Sequence, residues 1–319
     1  MSTPTISVVL PVYNASHCVK ETLDSLKRQT FTDFEVIIVD DESSDETPEI
    51  IEEYAAKDKR FKLLRKTNGG TAAKSAAYAL PHCRGKYFFF CSHDDFFSED
   101  LFAQMIKRAD ETEAQCIIPE CVFYYENVPL EKQKKLGPPN GDYARVISGK
   151  EAFMLAVDGW KIAGCGLKEL SSFRASGFES EFFNSDEFSV WRHFLNSEKV
   201  AFSHGTYFYR QTPTAITARI HPLRFETLCV NEKILTLIEN LQVSDDTLHW
   251  KKFLWKRMKS TIGEIRTSKK KLRSSKFSDD KQKRIEEIIK SSEKTLLKRI
   301  IKHRFWSLLI RFFWKLKIS

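Results

Sequence analysis

The first 125 residues alternate largely apolar runs of strand length with segments in which apolar residues recur at helical spacing. The predicted strands are residues 6–10, 34–39, 61–64 and 86–91, and the predicted helices are residues 19–26, 47–55 and 71–81. Thr47 followed by Pro48 predicts the N-cap and first position of the second helix. This alternation predicts βαβ units and a parallel sheet with right-handed crossovers.

Beyond residue 125 the regular alternation ends. Residues 126–147 are rich in Pro, Gly and charge and predict a long surface loop, and Ser148 begins a capping-box pattern that predicts another helix. A helix over 186–197 is followed by two strand patterns, 199–203 and 206–210, which predict a short hairpin around a His-Gly pair.

From about residue 222 the pattern is helical and rich in lysine. We therefore predict an α/β domain over residues 1–220 and a basic helical region over 221–319. Residues 251–319 hold 23 Lys and Arg against 6 Asp and Glu, a formal charge of +17, whereas residues 1–250 carry −9. A basic tail on an acidic body suggests an anionic partner for the tail.

Cysteine usage and the absence of long apolar segments indicate the compartment. The chain has 7 Cys, an odd number with irregular spacing and no CxxC pair, which favours reduced thiols over a disulfide framework or a zinc site. Neither a secretory signal pattern nor a run of 18 apolar residues is present. We expect a cytoplasmic protein.

The ends of parallel strands are where α/β sheets bind ligands, so the residues after each strand are the first candidates. The first strand runs into Pro11, Val12, Tyr13 and Asn14, and neither GxGxxG nor GxxxxGK[ST] follows it. A tyrosine at a strand end can stack on a nucleobase. The alternative is a turn with a packing tyrosine.

The second strand ends in a run of acids and serines, DDESSD at residues 40–45. The adjacent carboxylates of Asp40 and Asp41 repel one another and need donors or a cation nearby. One of them can accept hydrogen bonds from a pyrimidine N–H or from ribose hydroxyls. The alternative, strongest for Asp45, is that these acids cap the next helix.

The strand that ends at Cys91 continues as Ser92, His93, Asp94 and Asp95. Two adjacent acids after a buried strand are a candidate site for a hard divalent cation that bridges a diphosphate. His93 is a weaker candidate and more simply a packing residue. Taken alone, the two acids are equally compatible with an ordinary turn.

These motifs occur in order as ISVVLPVYN, FEVIIVDDESSD, NGG and GKYFFFCSHDDF. Together they resemble the family 2 glycosyltransferases of the GT-A fold, over about residues 4–215 and most closely before residue 100. The resemblance implies a GT-A sheet flanked by helices and transfer of a sugar from a nucleotide-diphosphate donor with inversion at the anomeric carbon.

The resemblance also implies residue roles. Tyr13 lies near the base, Asp41 binds it, and Asp40 lies close by. Lys74 takes the place of the usual arginine and faces ribose or phosphate. The donor-binding set implied is Pro11, Tyr13, Asp40, Asp41, Lys74, Asp94 and Arg210.

The implied metal is Mn²⁺ or Mg²⁺, held by Asp95 directly and by Asp94. Two departures from the family pattern bear on these roles. Ala73-Lys74-Ser75 replaces Ala-Arg-Asn one residue early, and Ser92 replaces the first acid of the metal motif.

The general base implied by the resemblance is Asp186, although Ser185 stands where the family usually has Glu. An acid at a helix N-terminus is held ionised by the helix dipole, which suits a base that takes a proton from the acceptor hydroxyl. A helix cap without chemistry is the alternative, and Asp158, Glu179 and Glu181 compete for the role. Arg210 is a candidate for bidentate contact with the diphosphate or a structural residue.

Residues 300–318 are dense in aromatic residues and cations. They predict contact with an anionic membrane surface or packing against the protein, and nucleic acid is the least favoured partner. Contact with an anionic membrane surface would place the protein on the inner face of the cell membrane.

The expected function is transfer of a sugar, by family habit from a uridine nucleotide, to a hydroxyl of a growing surface polysaccharide or lipid-linked glycan. A sugar nucleotidyltransferase is disfavoured because no glycine-rich phosphate loop follows the first strand. A non-catalytic scaffold that binds glycan or membrane remains a rival.

Overall fold

The computed structural model describes residues 3–213, 215–241 and 247–316, with side chains for all of these except 247–249 and 304–316. The chain divides into two compact units. The first comprises Met1–Glu181 and Ser185–Ala218, and the second comprises Phe182–Asn184 and Arg219–Ser319. The predicted domain boundary after residue 220 stays a prediction.

Ten strands of the described chain form one sheet in the first unit. They are β1 (Ile6–Val12), β2 (Phe34–Asp40), β3 (Phe61–Arg65), β4 (Tyr87–Phe90), β5 (Phe96–Phe97), β6 (Cys116–Tyr124), β7 (Lys134–Leu136), β8 (Val146–Ile147), β9 (Leu167–Glu169) and β10 (Val200–Arg210). The order is β3-β2-β1-β4-β9-β6-β10-β5, with β7 beside β6 and β8 beside β10.

The helices of this unit are α1 (Val19–Lys27), α2 (Thr47–Lys57), α3 (Ala72–Ala79), α4 (Leu101–Thr112), α5 (Gly149–Val157), α6 (Leu170–Ser176) and α7 (Ser185–Leu195). The α/β class is confirmed. The predicted N-cap of α5 is also found, because the Ser148 side chain accepts the Glu151 backbone N–H, although the Glu151 carboxylate pairs with Arg145 instead of completing a capping box.

The sheet is parallel in its first half and mixed in its second. β1 pairs in parallel with both β2 and β4, and all seven residues of β1 and of β2 are buried, which explains their continuous apolar sequences. β9 instead runs antiparallel to both β4 and β6. β3 also pairs in parallel with β2, so the four strands β1 to β4 present their carboxyl ends at one edge of the sheet.

The predicted hairpin over 199–210 is wrong. The segment is one strand, β10, which pairs in parallel with β6 and shifts register between Phe202 and Thr206. Gly205 lies in that irregularity, where an added Cβ would be 2.7 Å from the Cα of Leu101. The glycine therefore marks a close approach to α4 rather than a turn.

The predicted loop over 126–147 contains two short strands. β7 pairs with β6 and β8 pairs with β10, both antiparallel, so this segment extends the sheet rather than only crossing its surface. A loop of this length without structure of its own would be unusual in a compact domain.

The second unit is helical, as predicted. It contains α8 (Thr227–Leu241), α9 (Thr247–Arg273) and α10 (Asp279–Leu316), and α9 packs against both others. Leu254, Met258 and Ile265 are buried at helical spacing on α9, and Ile285 and Ile289 are buried on α10. In the described chain no helix has both the length and the apolar character needed to cross a membrane, and the seven cysteines are free thiols.

Two glycines give opposite expectations for stability. We expect Gly205→Ala to lower the free energy of unfolding by about 1–3 kcal/mol, because the new methyl group meets the Leu101 backbone. Gly263→Ala on α9 meets no atom of the described chain within 4 Å, and we expect it to raise stability by about 0.5–1 kcal/mol. Urea denaturation measures both. A neutral Gly205→Ala would contradict the close approach.

Candidate active site

The residues after β1, β2 and β4 meet at one edge of the sheet, as the sequence predicts. The backbone N–H of Asp41, after β2, donates to Val12 O at the end of β1 (2.9 Å). Ser44 N donates to the Asn14 side chain at 2.8 Å, and Asn14 N donates to the Ser43 hydroxyl at 2.9 Å. The first two loops are therefore fixed to one another.

The carboxylate of Asp41 is held by donors from the segment that follows β3. It is buried, and its Oδ1 accepts hydrogen bonds from Lys66 Nζ at 2.5 Å and from Gly69 N at 2.9 Å. Asp40 is also buried and accepts the Ser43 N–H at 3.2 Å. The repulsion expected between the two acids is thus relieved by separate donors.

Lys66 is a site residue that the sequence reasoning missed. It follows β3 directly, so its place at a strand's carboxyl end was the available signal. Gly69 lies beneath it, since an added Cβ there would be 2.8 Å from Lys66 Nζ and 3.1 Å from the Cβ of Lys74. Lys74 is exposed on the first turn of α3. The structure therefore places Lys66 on Asp41 and Lys74 beside Gly69.

Tyr13 and Pro11 differ in what they offer a ligand. The Tyr13 side chain is 48% exposed, which is unusual for a large ring and leaves a face available for stacking. Pro11 is buried within β1, opposite Val39. Its direct contact with a ligand stays a prediction.

Asp45 contacts the first residue of α2, close to the capping role weighed for it, while Glu46 occupies the N-cap position. The Asp45 carboxylate accepts the backbone N–H groups of Thr47 and Ser16, each at 3.1 Å. Burial opposes ionisation, but hydrogen bonds from Thr47 and Ser16 outweigh it and lower the pKa of Asp45 to about 2. Thr47 is the first residue of α2, so its predicted N-cap role is wrong.

Asp95 is buried and faces inward. Its Oδ2 accepts the Tyr207 hydroxyl and its Oδ1 accepts the Arg210 backbone N–H at 2.9 Å. Burial and then the neighbouring charge of Asp94 raise the pKa of Asp95 to about 8. These contacts attach the loop after β4 to β10 and leave Asp94, which is half-buried, as the more accessible of the two acids.

Arg210 connects three elements. Its Nε donates to Asp94 O at 2.8 Å, and its guanidinium pairs with Glu21 of α1. The same group lies 5.0 Å from the ring centroid of Phe96. These contacts give Arg210 a structural role, and contact with a diphosphate stays a prediction.

The residues present fit a cation only in part. In the described chain no group of three or more His, Cys, Asp or Glu residues could hold a metal ion. Mg²⁺ is, however, usually bound through one or two carboxylates with water and substrate phosphates completing the shell. Asp94 therefore suits a cation that arrives with a phosphorylated ligand. The direct ligand role of Asp95 stays a prediction.

Asp186 lies at the start of α7 and is half-buried. Burial raises its pKa, although backbone N–H groups of the helix end act in the opposite direction. Burial therefore outweighs the helix end in the direction of this pKa, and the expected ionisation of Asp186 stays a prediction. The adjacent Glu187, which sequence reasoning did not single out, has a pKa raised to about 8 by burial and by the charge of Asp186.

The other candidate acids have different surroundings. Asp158 pairs with Lys161 at 2.9 Å, Glu179 pairs with Arg192 at 3.2 Å, and Glu181 is exposed.

The acids at the start of α7 and those after β4 both raise the pKa of one neighbouring side chain, that of Tyr209. Burial first, and then the charges of Asp95, Glu187 and Asp94, raise the pKa of Tyr209 to about 12.

Comparisons with known proteins agree with this geometry. A family model described as glycosyl transferase family 2 matches residues 7–163. The uncharacterized glycosyltransferase EpsJ of Bacillus subtilis is 32% identical over 148 residues, which are 46% of this chain and 41% of EpsJ. The poly(ribitol-phosphate) beta-N-acetylglucosaminyltransferase TarS of Staphylococcus aureus is 32% identical over 114 residues, 35% of this chain and 20% of TarS. The matched segment spans less than half the length of these relatives.

Solved structures share the fold. TarS 1-349 in complex with UDP-GlcNAc has a TM-score of 0.63 at 20% identity, over 78% of this chain and 70% of that chain. The mannosyltransferase PcManGT from Pyrobaculum calidifontis, in complex with GDP-Man and Mn2+, has a TM-score of 0.53 at 13% identity, over 93% and 88%. At these identities the likeness shows the fold alone, which is the expected GT-A fold.

The Asp95 contacts generate a stability prediction. We expect Tyr207→Phe to lower the free energy of unfolding by about 1–3 kcal/mol, because a buried carboxylate loses its hydroxyl donor. Tyr143→Phe is the matched control, since that hydroxyl donates to Glu120 at 3.1 Å in a partly exposed place and its loss should cost less. Equal losses of unfolding free energy in the two variants, measured by urea denaturation, would contradict the prediction that the hydrogen bond to Asp95 is the more stabilising one.

Proposed function

Because residues 7–163 of this chain belong to glycosyl transferase family 2, we propose that the protein is a glycosyltransferase that uses a nucleotide-diphosphate sugar. The observation that carries the proposal is the arrangement at the edge of the sheet. Asp41 after β2 and Asp94 after β4 flank β1, and Tyr13 is exposed at the end of β1. This is where an α/β sheet takes a nucleotide.

The donor's base is bound by Tyr13 and Asp41. The exposed ring stacks on the base, and Asp41 accepts a base N–H, with Lys66 and Gly69 holding its Oδ1 in place. Asp40 supports the same loop, and Lys74 faces the ribose or phosphates. Uridine is the favoured nucleoside, a choice supported by the UDP-GlcNAc complex of TarS, and a hexosyl or N-acetylhexosaminyl group is the sugar.

The diphosphate binds at Asp94. Mn²⁺ or Mg²⁺ bound between Asp94 and the diphosphate would neutralise charge that develops on the leaving group. The Mn2+ complex of PcManGT supports this choice of cation. Asp95 fixes the direction of Asp94 by attaching their loop to Tyr207 and Arg210.

Asp186 is the general base of an inverting transfer. The acceptor hydroxyl oxygen forms a bond to the anomeric carbon, the bond from that carbon to the diphosphate oxygen breaks, and Asp186 takes the hydroxyl proton. Burial raises the pKa of Asp186, which makes it a better proton acceptor than an exposed aspartate. Glu187 beside it, with its pKa raised to about 8 by burial and by the charge of Asp186, is mostly protonated at neutral pH, so Asp186 is the ionised acid of the pair.

The acceptor is a hydroxyl of a glycan or lipid-linked glycan in surface polysaccharide synthesis. Residues 300–318 would bring the cytoplasmic enzyme to an anionic membrane surface, although the side chains from 304 onward lie outside the described residues. Leu297 and Ile301 lie one turn apart on α10, just before residue 304, and each is 58% exposed. They are the apolar start of such a surface.

Donor binding is the first test. We expect one uridine-diphosphate sugar with Mn²⁺ to raise the thermal midpoint, since a ligand at about 100 times its Kd stabilises by roughly 2.7 kcal/mol. Asp41→Asn should abolish the shift, because an amide oxygen that stays with Lys66 and Gly69 leaves an NH2 group facing the base N–H in place of the second carboxylate oxygen. Chelator should weaken it. No shift with any nucleotide, together with no release of nucleotide from any donor, would favour the rival, a scaffold that binds glycan or membrane.

Asp186→Asn tests the base. We expect kcat to fall by about 10²–10⁴ while the donor-induced thermal shift remains. In the wild type, kcat/KM should fall as the pH drops through the pKa of Asp186, because the base becomes protonated. Since burial raises that pKa, the acid limb of the pH profile should lie above the ordinary carboxyl value of about 4. Glu181→Gln, a nearby exposed acid, should leave both readouts unchanged. An unchanged acid limb in Asp186→Asn would rule this assignment out.

A further inference from the structure

α9 carries a straight row of four cations on its exposed face. Lys252, Lys259, Arg266 and Arg273 are each seven residues apart and all are exposed. Seven residues advance about 10.5 Å and turn the helix almost twice, so the row runs about 31 Å along one side. We call these four residues the cationic row.

The cations of the row have no acidic partners in the described chain. No ion pair joins any of the four to Asp or Glu there, and Glu264 is the one acid of α9 between residues 250 and 273. Glu264 contacts Asn231 and Ser260 instead. Unpaired cations in a regular row attract a partner whose negative charges also repeat along a line.

A depression adjoins the row at its C-terminal end. It encloses about 470 Å³ and is lined by Arg266, Lys269, Lys270, Arg273 and Ser274. Lys269 is paired with Glu293 at 2.5 Å. The Ser274 hydroxyl donates to Lys271 O at 3.0 Å, so the three cations Arg266, Lys270 and Arg273 remain for an anionic group of the partner.

Two features favour a glycan over a lipid surface. None of the large apolar side chains that the described part of the chain exposes lies on α9, so this helix has nothing to insert among acyl chains. Trp255 lies between Lys252 and Lys259 at helical spacing and is half-buried. The negative face of an indole ring packs against the C–H groups of a sugar ring.

We propose that the cationic row and Trp255 bind a linear, negatively charged polysaccharide, which is the acceptor chain. This inference rests on the proposed function and names its acceptor class. The row holds the polymer by spaced charge contacts and Trp255 recognises that it is built of sugars. Such a tether raises the concentration of acceptor ends around the enzyme.

The test compares two variants of the full chain with equal charge. One replaces the row with Lys252→Gln, Lys259→Gln, Arg266→Gln and Arg273→Gln. The matched control replaces four exposed cations of α10 with Lys281→Gln, Lys283→Gln, Lys290→Gln and Lys294→Gln. The probes are polygalacturonate, sugar-free linear polyphosphate, phosphatidylglycerol vesicles and duplex DNA.

At about 50 mM salt we expect the row variant to bind polygalacturonate at least about 10-fold more weakly than the wild type. The slope of log K against log salt concentration should become shallower by up to about 3. The control should stay within about threefold of the wild type. The wild type should prefer polygalacturonate to polyphosphate, and Trp255→Leu should remove that preference. Equal loss in both variants, or tighter binding of vesicles or DNA through the row, would overturn the proposal.

Donor binding on the same proteins separates the two proposals. The row variant should keep the full thermal shift with the nucleotide sugar, because the row contains none of the donor-site residues. A wild type that binds polygalacturonate through the row but never responds to a donor counts against the proposed function. A normal donor response without row-dependent polymer binding counts against this inference alone.

Discussion

The candidate site depends on one buried carboxylate, that of Asp95. Its oxygens accept from Tyr207 and from the Arg210 backbone, while the backbone carbonyl of the same residue accepts the Thr22 hydroxyl of α1 at 2.6 Å. A buried carboxylate without donors is strongly unfavourable, so the loop after β4 has little freedom. Asp94 is therefore directed outward next to the loops that follow β1 and β2. The arrangement of the donor site follows from this constraint.

The sequence predicts those parts of the site that local pattern determines. Acids that follow buried strands must lie at the sheet edge, so the positions of Asp41 and Asp94 follow from strand spacing alone. The partners of Asp41 and Asp95 could not be predicted, because Lys66 and Tyr207 reach them through strand order and register. The false hairpin has the same origin. Gly205 reads locally as a turn, whereas the structure requires it for the distant backbone of Leu101.

Asp186 shows how a correct local principle can give the wrong direction. A helix N-terminus does supply N–H groups that favour the charged form, and these act on Asp186. Burial depends on neighbours that no local pattern reveals, and here it outweighs the helix end. A raised pKa is compatible with the proposed chemistry, because a carboxylate of higher pKa is a stronger proton acceptor.

The charge of the site supports a cation at Asp94. A nucleotide diphosphate brings two or more negative charges to a region that already holds Asp40, Asp41 and Asp94. The nearest cations are limited, since Lys66 is bonded to Asp41 and Arg210 to Glu21. Of the predicted donor-binding residues, this leaves the exposed Lys74 as the cation available to the diphosphate. One positive charge does not balance the two or more negative charges of the diphosphate. In the proposed reaction a divalent ion bound with the donor would supply the missing charge. Among the described residues no group of three or more acids, histidines or cysteines could hold such an ion by itself.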